Sequence, residues 1–350
     1  MSNIQIFFVK NAFFSNIYTN FVPCMKTIYV NMEHFEDADS PQNLPPCAAT
    51  VGFFDGVHLG HQHLIATMRE QAARQGLETA VVTFDRHPRQ VLNPDWQPQL
   101  LTSAVEKAVL LAQTGIDRLV ILHFDRQMAT LSAREFMQRI LLKHLNVRLL
   151  YTGYDNRFGH ERTESFADYV SYGRDMGMTV SQADELRADG LKVSSSAIRS
   201  YLAEGAVERA AQCLGHPYFL TGTVVSGQHI GTDIGFPTAN LQPDEPLKLI
   251  PANGVYAAKV RLQNSLEQKH AMTNIGHRPT FNGQRLTLET HILHFTGDIY
   301  GQRMVVALIG RLRGEQKFDN EQALAEQLHH DAEAATQYLN YDPQENPFAL

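Results

Sequence analysis

Two short stretches hold residues whose types and spacing suit phosphoryl chemistry. In VGFFDGVHLGHQ, Asp55-Gly56 turns the chain after an apolar run, and His58 and His61 fall three apart where a helix begins. That spacing sets both imidazoles on one face. A helix start attracts an anion through its free N–H groups, Gly60 removes a side chain that would block close approach, and two imidazole donors could stabilise charge on a pentacovalent phosphorus. This is nucleotidyl-transfer chemistry without a covalent intermediate. The plainer alternative is an incidental histidine pair at a helix start, and the strand before and helix after the motif argue against it.

A second element of phosphate chemistry stands in VSSSAIRSYL, where Ser194, Ser195 and Ser196 precede a helix carrying Arg199. Hydroxyls, cap N–H groups and a guanidinium form a phosphate cradle, although a serine cap is also commonplace. In GFPTAN, Pro237 stiffens a turn before Thr238 and Asn240, whose hydroxyl and amide oxygens are hard donors suited to Mg²⁺. In LTLETHIL, period-two alternation directs Glu289 with Thr287 and His291, opposite Leu288. A carboxylate so placed can take the proton of an attacking hydroxyl, while a solvated strand residue is the alternative.

The elements that must position these groups follow two grammars. From Ala48, strands and helices alternate: AATVGFF, a helix with Leu64, Ile65, Met68 and Ala72 stopped at Gly76, then TAVVTF, a helix over 104–114, RLVILHF, a helix capped by Ser132 with Glu135 three on, and RLLYTGY. Such repetition predicts a parallel sheet with crossover helices, a Rossmann-like α/β domain. After Leu202 the runs LTGTVVSG, GVYAAKVRL, KHAMTNI, LTLETHILHF and MVVALIGRLR are short, β-rich and separated by turn residues, predicting an antiparallel barrel or sandwich. SAIRSYLAEGAVERAAQCLG is a helical connection, and a long helix closes the chain, with Leu324 and Leu328 packing on the barrel. The expected divisions are an extension over 1–24 preceding a start at Met25, an α/β domain over 25–214, a barrel domain over 215–342 and a tail over 343–350.

Composition fits two buried cores: 350 residues, 43% apolar and 19% charged. A net charge of −7 lacks the basic surplus of a nucleic-acid binder. Cys24, Cys47 and Cys213 form no CxxC or CxxH pattern, so a reduced, cytoplasmic protein is expected. No run reads as a membrane span or signal, so neither nucleic acid nor membrane is an expected partner. The oligomeric state stays open.

FDGVHLGH, TFDRHPRQVL, GYDNRFGHER and VSSSAIR, in that order, resemble the FAD synthetase module of bacterial bifunctional riboflavin kinase/FAD synthetase. GFPTANL, LIPANGVYA, NIGHRPTF, LETHILHFTGDIYG and RLRGEQKF, over about 220 to 318, resemble its riboflavin kinase module. The resemblance implies ATP-dependent phosphorylation of riboflavin to FMN, then adenylylation of FMN to FAD. It implies that His58 and His61 assist attack on the α-phosphorus of ATP, with Phe54, Asp55, Gly56, Gly60 and Asp155 around the nucleotide and Ser195, Ser196 and Arg199 on its triphosphate. In the kinase module it implies Mg²⁺ and ATP phosphates at Thr238 and Asn240, flanked by Gly235 and Pro237. Glu289 is then the base, and Asn274, Arg278 and Arg313 contact flavin.

Three departures stand out. Arg86 replaces a usual proline, Asn156 replaces a common aromatic, and Thr232 and Asp233 stand where the family offers a basic residue upstream of GFPTAN. The last predicts weaker ATP binding unless Arg278 or His229 compensates. It leaves two further readings: an FMN adenylyltransferase with weakened kinase, and a non-catalytic flavin-binding regulator. Retention of His58, His61, Thr238, Asn240 and Glu289 argues against the regulator.

Overall fold

The computed structural model describes residues 6–8, 25–30, 44–154, 157–160, 163–188, 190–227, 231, 234–263, 265, 267–280 and 283–340, with side chains outside the description at 6–8, 187–188, 278–280 and 283–285. The chain divides into two compact units, with the main break between Gly190 and Leu191. Among the described residues, the first unit is built on a seven-stranded sheet: β1 (Ile6–Phe8), β2 (Lys26–Val30), β3 (Cys47–Val51), β4 (Glu78–Phe84), β5 (Arg118–Leu122), β6 (Val147–Thr152) and β7 (Thr179–Gln182), in the order β1-β2-β5-β4-β3-β6-β7. β1 is antiparallel to β2, and every later pairing is parallel.

β3 is buried at every residue, as expected of a central parallel strand covered on both faces. The helix Leu59–Gln75 buries Leu64, Ile65, Met68 and Ala72 and ends where Gly76 takes a left-handed φ of 63°. The stretch after Ser132 begins with the expected capping box, but only Ala133–Glu135 is α-helical, and Phe136–His144 winds as a π-helix. The helix Phe166–Met176 and strand β7 add a further crossover that the sequence reading did not name. β7 is short and has no fully buried residue, so its apolar alternation is weak.

Two short strands, β8 (Arg187–Ala188) at the end of the first unit and β9 (Leu191–Lys192) at the start of the second unit's main segment, precede helices Ser195–Glu204 and Val207–Leu214 of the second unit. Strands β10 (Tyr218–Val225), β11 (Ala239–Pro243), β12 (Gly254–Leu262), β13 (Lys269–Thr280), β14 (Gly283–Ile292) and β15 (Arg303–Arg313) close into an antiparallel barrel, in the order β10-β11-β14-β13-β12-β15. Ile198, Leu202, Val207, Ala210, Cys213 and Leu214 join the barrel core beside Tyr218, Leu220 and Tyr256. The break at Gly190 therefore falls earlier than the change of strand grammar at Gly215, because the connecting helices bury their apolar faces against barrel residues. The terminal helix Glu321–Asn340 buries Ala335 and Leu339 against Phe236, Val255 and Met272.

Candidate functional sites

In the first unit the sheet reverses its winding at β3, which has β4 on one side and β6 on the other. Ligands of open α/β sheets bind beyond the carboxyl ends of strands at such a switch point. The Phe53–His61 turn leaves β3 there. Phe54, Gly56 and Val57 have φ of 55°, 81° and 41°, and this left-handed path brings the chain into the helix within a few residues. Gln62 Nε2 holds the Val57 carbonyl at 2.8 Å.

His58 is the N-cap of helix Leu59–Gln75, its Nδ1 accepting the His61 backbone N–H at 3.3 Å. The two rings stack with centroids 3.6 Å apart and planes 16° from parallel. The cap fixes the tautomer: a neutral His58 with Nδ1 as acceptor carries its proton on Nε2. Burial, then His58, then Lys107, push the His61 imidazole well below its ordinary value, so it is uncharged near neutrality. Among the described residues, His61 Nδ1 has no hydrogen-bond partner. Phe54 and Asp55 are buried in the same turn.

Lys107, on helix Ala104–Gln113, was not singled out from sequence. It is buried, and its ammonium donates to Phe53 O (3.1 Å), Thr83 Oγ1 (3.2 Å) and Phe84 O (3.2 Å). Burial lowers its pKa to about 8 against the opposing pull of Asp55 and Asp85.

Beside this turn lies a cleft of about 750 Å³, lined among others by Phe53, His87, Arg89, Phe124, Arg157 and Phe158. Phe53 meets His87 edge-on at 4.7 Å, while Phe158 stacks on Tyr169 at 4.4 Å. Such a pocket takes a planar apolar ring system, with cations for an attached anion. None of its aromatic lining was assigned a role from sequence, because the residues come from the ends of four strands.

Asp155 lies outside the described residues. Ser195, Ser196 and Arg199 stand on helix Ser195–Glu204, capped by Ser194 Oγ, which accepts Ala197 N–H at 3.2 Å. Arg199 Nε donates to Gln99 O at 2.7 Å.

In the barrel, Glu289 on β14 faces Asn240 on β11 on one side and Asn274 on β13 on the other. Three expected residues thus form one row across three strands. Thr238, Asn274, Glu289 and Arg313 line one cavity of about 270 Å³, with Thr287 and His291 on the Glu289 face and Leu288 buried on the other. His291 Nδ1 donates to Pro237 O at 2.8 Å, fixing the turn that presents Thr238. Gly227 has no side chain for a reason: a Cβ there would lie 2.2 Å from Asn240 Nδ2. Gly235 has φ of 83°, a left-handed turn before Pro237.

Arg313 is held by Asp331 of the terminal helix, with Nε 2.9 Å and 3.1 Å from the two carboxylate oxygens and Nη2 2.7 Å from Oδ2. His277 and Glu315 line the same cavity and are tied together by Asn253, whose Nδ2 lies 3.0 Å from His277 Nδ1 and from Glu315 Oε2. The Arg278 side chain, His229, Thr232 and Asp233 lie outside the described residues.

Thr238 and Asn240 offer neutral hard oxygens next to one carboxylate, and no cluster of three or more His, Cys, Asp or Glu suited to a metal occurs among the described residues. That donor set fits Mg²⁺, which keeps waters and substrate phosphates as ligands, and not a metal needing a full protein cage. Among the described residues, no helix is long and apolar enough to cross a membrane.

The FAD synthetase family model matches residues 40–197, and the riboflavin kinase model matches residues 214–339. A bifunctional riboflavin kinase/FMN adenylyltransferase of Pseudomonas fluorescens is 38% identical over 83% of this chain and 92% of its own length. The enzyme of that description from Escherichia coli K12 is 36% identical over 84% and 93% respectively. A crystal structure described as that of a macrolide-efflux protein from Streptococcus pneumoniae shares the fold with TM-score 0.80 and 30% identity, covering 90% of this chain and 99% of that one.

Proposed function

The chain belongs to the bifunctional riboflavin kinase/FMN adenylyltransferase family, and on that premise we propose how its two sites make FMN from riboflavin and FAD from FMN. It phosphorylates riboflavin with ATP, then adenylylates FMN with a second ATP and releases pyrophosphate. The modules are assigned to 25–214 and 215–342, and the reactions to the cytoplasm.

For the kinase, the carrying observation is that Thr238, Glu289 and Asn274 line one cavity, with Asn240 paired to Glu289 in the adjoining strand register. Glu289 accepts the proton of the ribityl 5′-hydroxyl as that oxygen attacks the γ-phosphorus and ADP leaves. Thr238 and Asn240 hold Mg²⁺, which supplies charge neutralisation on the phosphates. Asn274, Arg278 and Arg313 orient the flavin. Positioning dominates such a transfer, since the protein contributes no covalent step.

For adenylyl transfer, the FMN phosphate oxygen attacks the α-phosphorus and pyrophosphate leaves. His58, with its proton fixed on Nε2 by the cap, donates to a phosphate oxygen, and the helix start beside Gly60 adds backbone N–H groups. His61, uncharged, stacks on His58 and keeps it oriented. The aromatic cleft takes the isoalloxazine of FMN, with Arg89 and Arg157 as counter-charges. Ser195, Ser196 and Arg199 hold the ATP phosphates, and Asp155 the nucleotide, on the strength of the family resemblance.

The deciding experiment separates the two half-reactions. The double variant His58→Ala with His61→Ala loses FAD formation and keeps FMN formation. Glu289→Ala does the reverse when FMN is supplied. Loss of both activities in either folded variant refutes the two-site assignment.

A further inference from the structure

Lys107 bonds to both walls of the histidine turn without belonging to it. The Phe53 carbonyl, immediately before left-handed Phe54, receives Lys107 Nζ at 3.1 Å and Thr83 Oγ1 at 3.1 Å. The same ammonium reaches Phe84 O at the end of β4 and Thr83 Oγ1, and sits 4.1 Å from the Phe53 ring centre. We propose that Lys107 is a positioning residue for FMN adenylylation: its ammonium ties the ends of β3 and β4 at the base of the His58–His61 turn and contributes to the electrostatic environment of His61.

The donor count supports this. Three acceptors surround Nζ, and only the charged –NH₃⁺ has three N–H groups, so deprotonation leaves one acceptor without its donor. The charged form is maintained from two sides, by Asp55 in the turn and by Asp85 beyond β4. Asp85 is itself anchored, accepting Phe124 N–H at 3.0 Å and lying 2.6 Å from His123 Nδ1 and 3.7 Å from Arg86 Nε. Burial is the main reason His61 resists protonation, and the titratable groups acting on it, His58 stacked on its ring and then Lys107, push the same way. The Lys107 cation thus adds to the burial that already holds His61 neutral, while drawing the strand ends together.

The inference rests on FMN adenylylation at this site, and its test separates the two. In full-length protein with ¹⁵N-labelled histidine, His61 is assigned with His61→Gln and titrated by NMR in wild type, Lys107→Met, Lys107→Arg and Thr83→Val. The titration needs no substrate, so failure of the wild type to form FAD counts against the functional reading alone. In Lys107→Met, His61 titrates at higher pH than in wild type, and kcat for FAD formation falls roughly 10–100-fold, the range a displaced catalytic turn produces. KM for ATP and riboflavin phosphorylation stay near wild type. Lys107→Arg, keeping the charge, returns His61 toward its wild-type midpoint. Thr83→Val lowers kcat without moving that midpoint. A folded Lys107→Met with wild-type kcat, or with an unmoved His61 midpoint, overturns the proposal. Should Lys107→Met fail to fold, wild-type kcat in Thr83→Val overturns it instead.

Discussion

Replacing Asp331 by Asn tests whether the terminal helix is clasped to the barrel through Arg313. Asp331 is 3% exposed and accepts from Arg313 Nε and Nη2 and, at 2.9 Å, from Gln327 Nε2. Asparagine keeps the shape but removes the charge and turns one oxygen into an N–H donor facing the guanidinium. Breaking one partner of a buried pair costs about 3–5 kcal/mol. The Arg313 side chain is 20% exposed, so water reaches part of the stranded cation and the lower figure, about 3 kcal/mol, applies. For a unit of this size that is a fall of roughly 6–12 °C in the barrel's Tm. Arg313 also lines the Glu289 cavity, so its release raises KM for riboflavin as well. The measurements are thermal and urea unfolding, hydrogen exchange over 321–340, and kinase KM. Arg313→Met combined with Asp331→Leu loses less than either charge removed alone, because no ion is left buried without a partner. A single-variant loss under about 1 kcal/mol, or a double variant no better than the singles, refutes the clasp.

Two further outcomes follow from the geometry. His61 binds its proton in the folded state only well below the ordinary histidine value, so from about pH 6.5 downward the unfolded chain binds more protons and stability falls with pH. Urea unfolding at pH 7 and pH 5.5 should show that slope for the first unit, and His61→Gln should flatten it; an unchanged slope would contradict a buried neutral His61. Gly227→Ala places a methyl 2.2 Å from Asn240 Nδ2 and displaces the amide, so riboflavin phosphorylation drops while FAD formation from supplied FMN holds; equal kinase rates would show that Asn240 is not needed where it stands.

Much of the first site was legible because its chemistry is contiguous. Strand, turn, cap and helix follow one another in VGFFDGVHLGHQ, and His58 caps the helix from within that string. Lys107 was not legible: its meaning arises from carbonyls 54 and 23 residues earlier in the chain, brought together only by parallel pairing of β3 with β4. In the barrel, alternation gave the face of Glu289 but not its neighbours, since cross-strand register decides that Asn240 and Asn274 flank it. The Arg313–Asp331 pair joins a strand end to a helix through burial, which leaves no periodic trace. The π-helical winding of Phe136–His144 has an apolar spacing that reads as ordinary helix.

The row Asn240–Glu289–Asn274 has a consequence for portability. The histidine turn is a single segment between one strand and one helix, so a different α/β scaffold could accept it if it also supplied the lysine and threonine that hold the Phe53 carbonyl. The kinase row cannot be excised, because each member is delivered by a separate strand and its position is a property of the closed hydrogen-bonded ring. Kinase turnover is thereby a reporter of barrel integrity: a slip or opening at any of these seams silences it before the chain has lost much secondary structure.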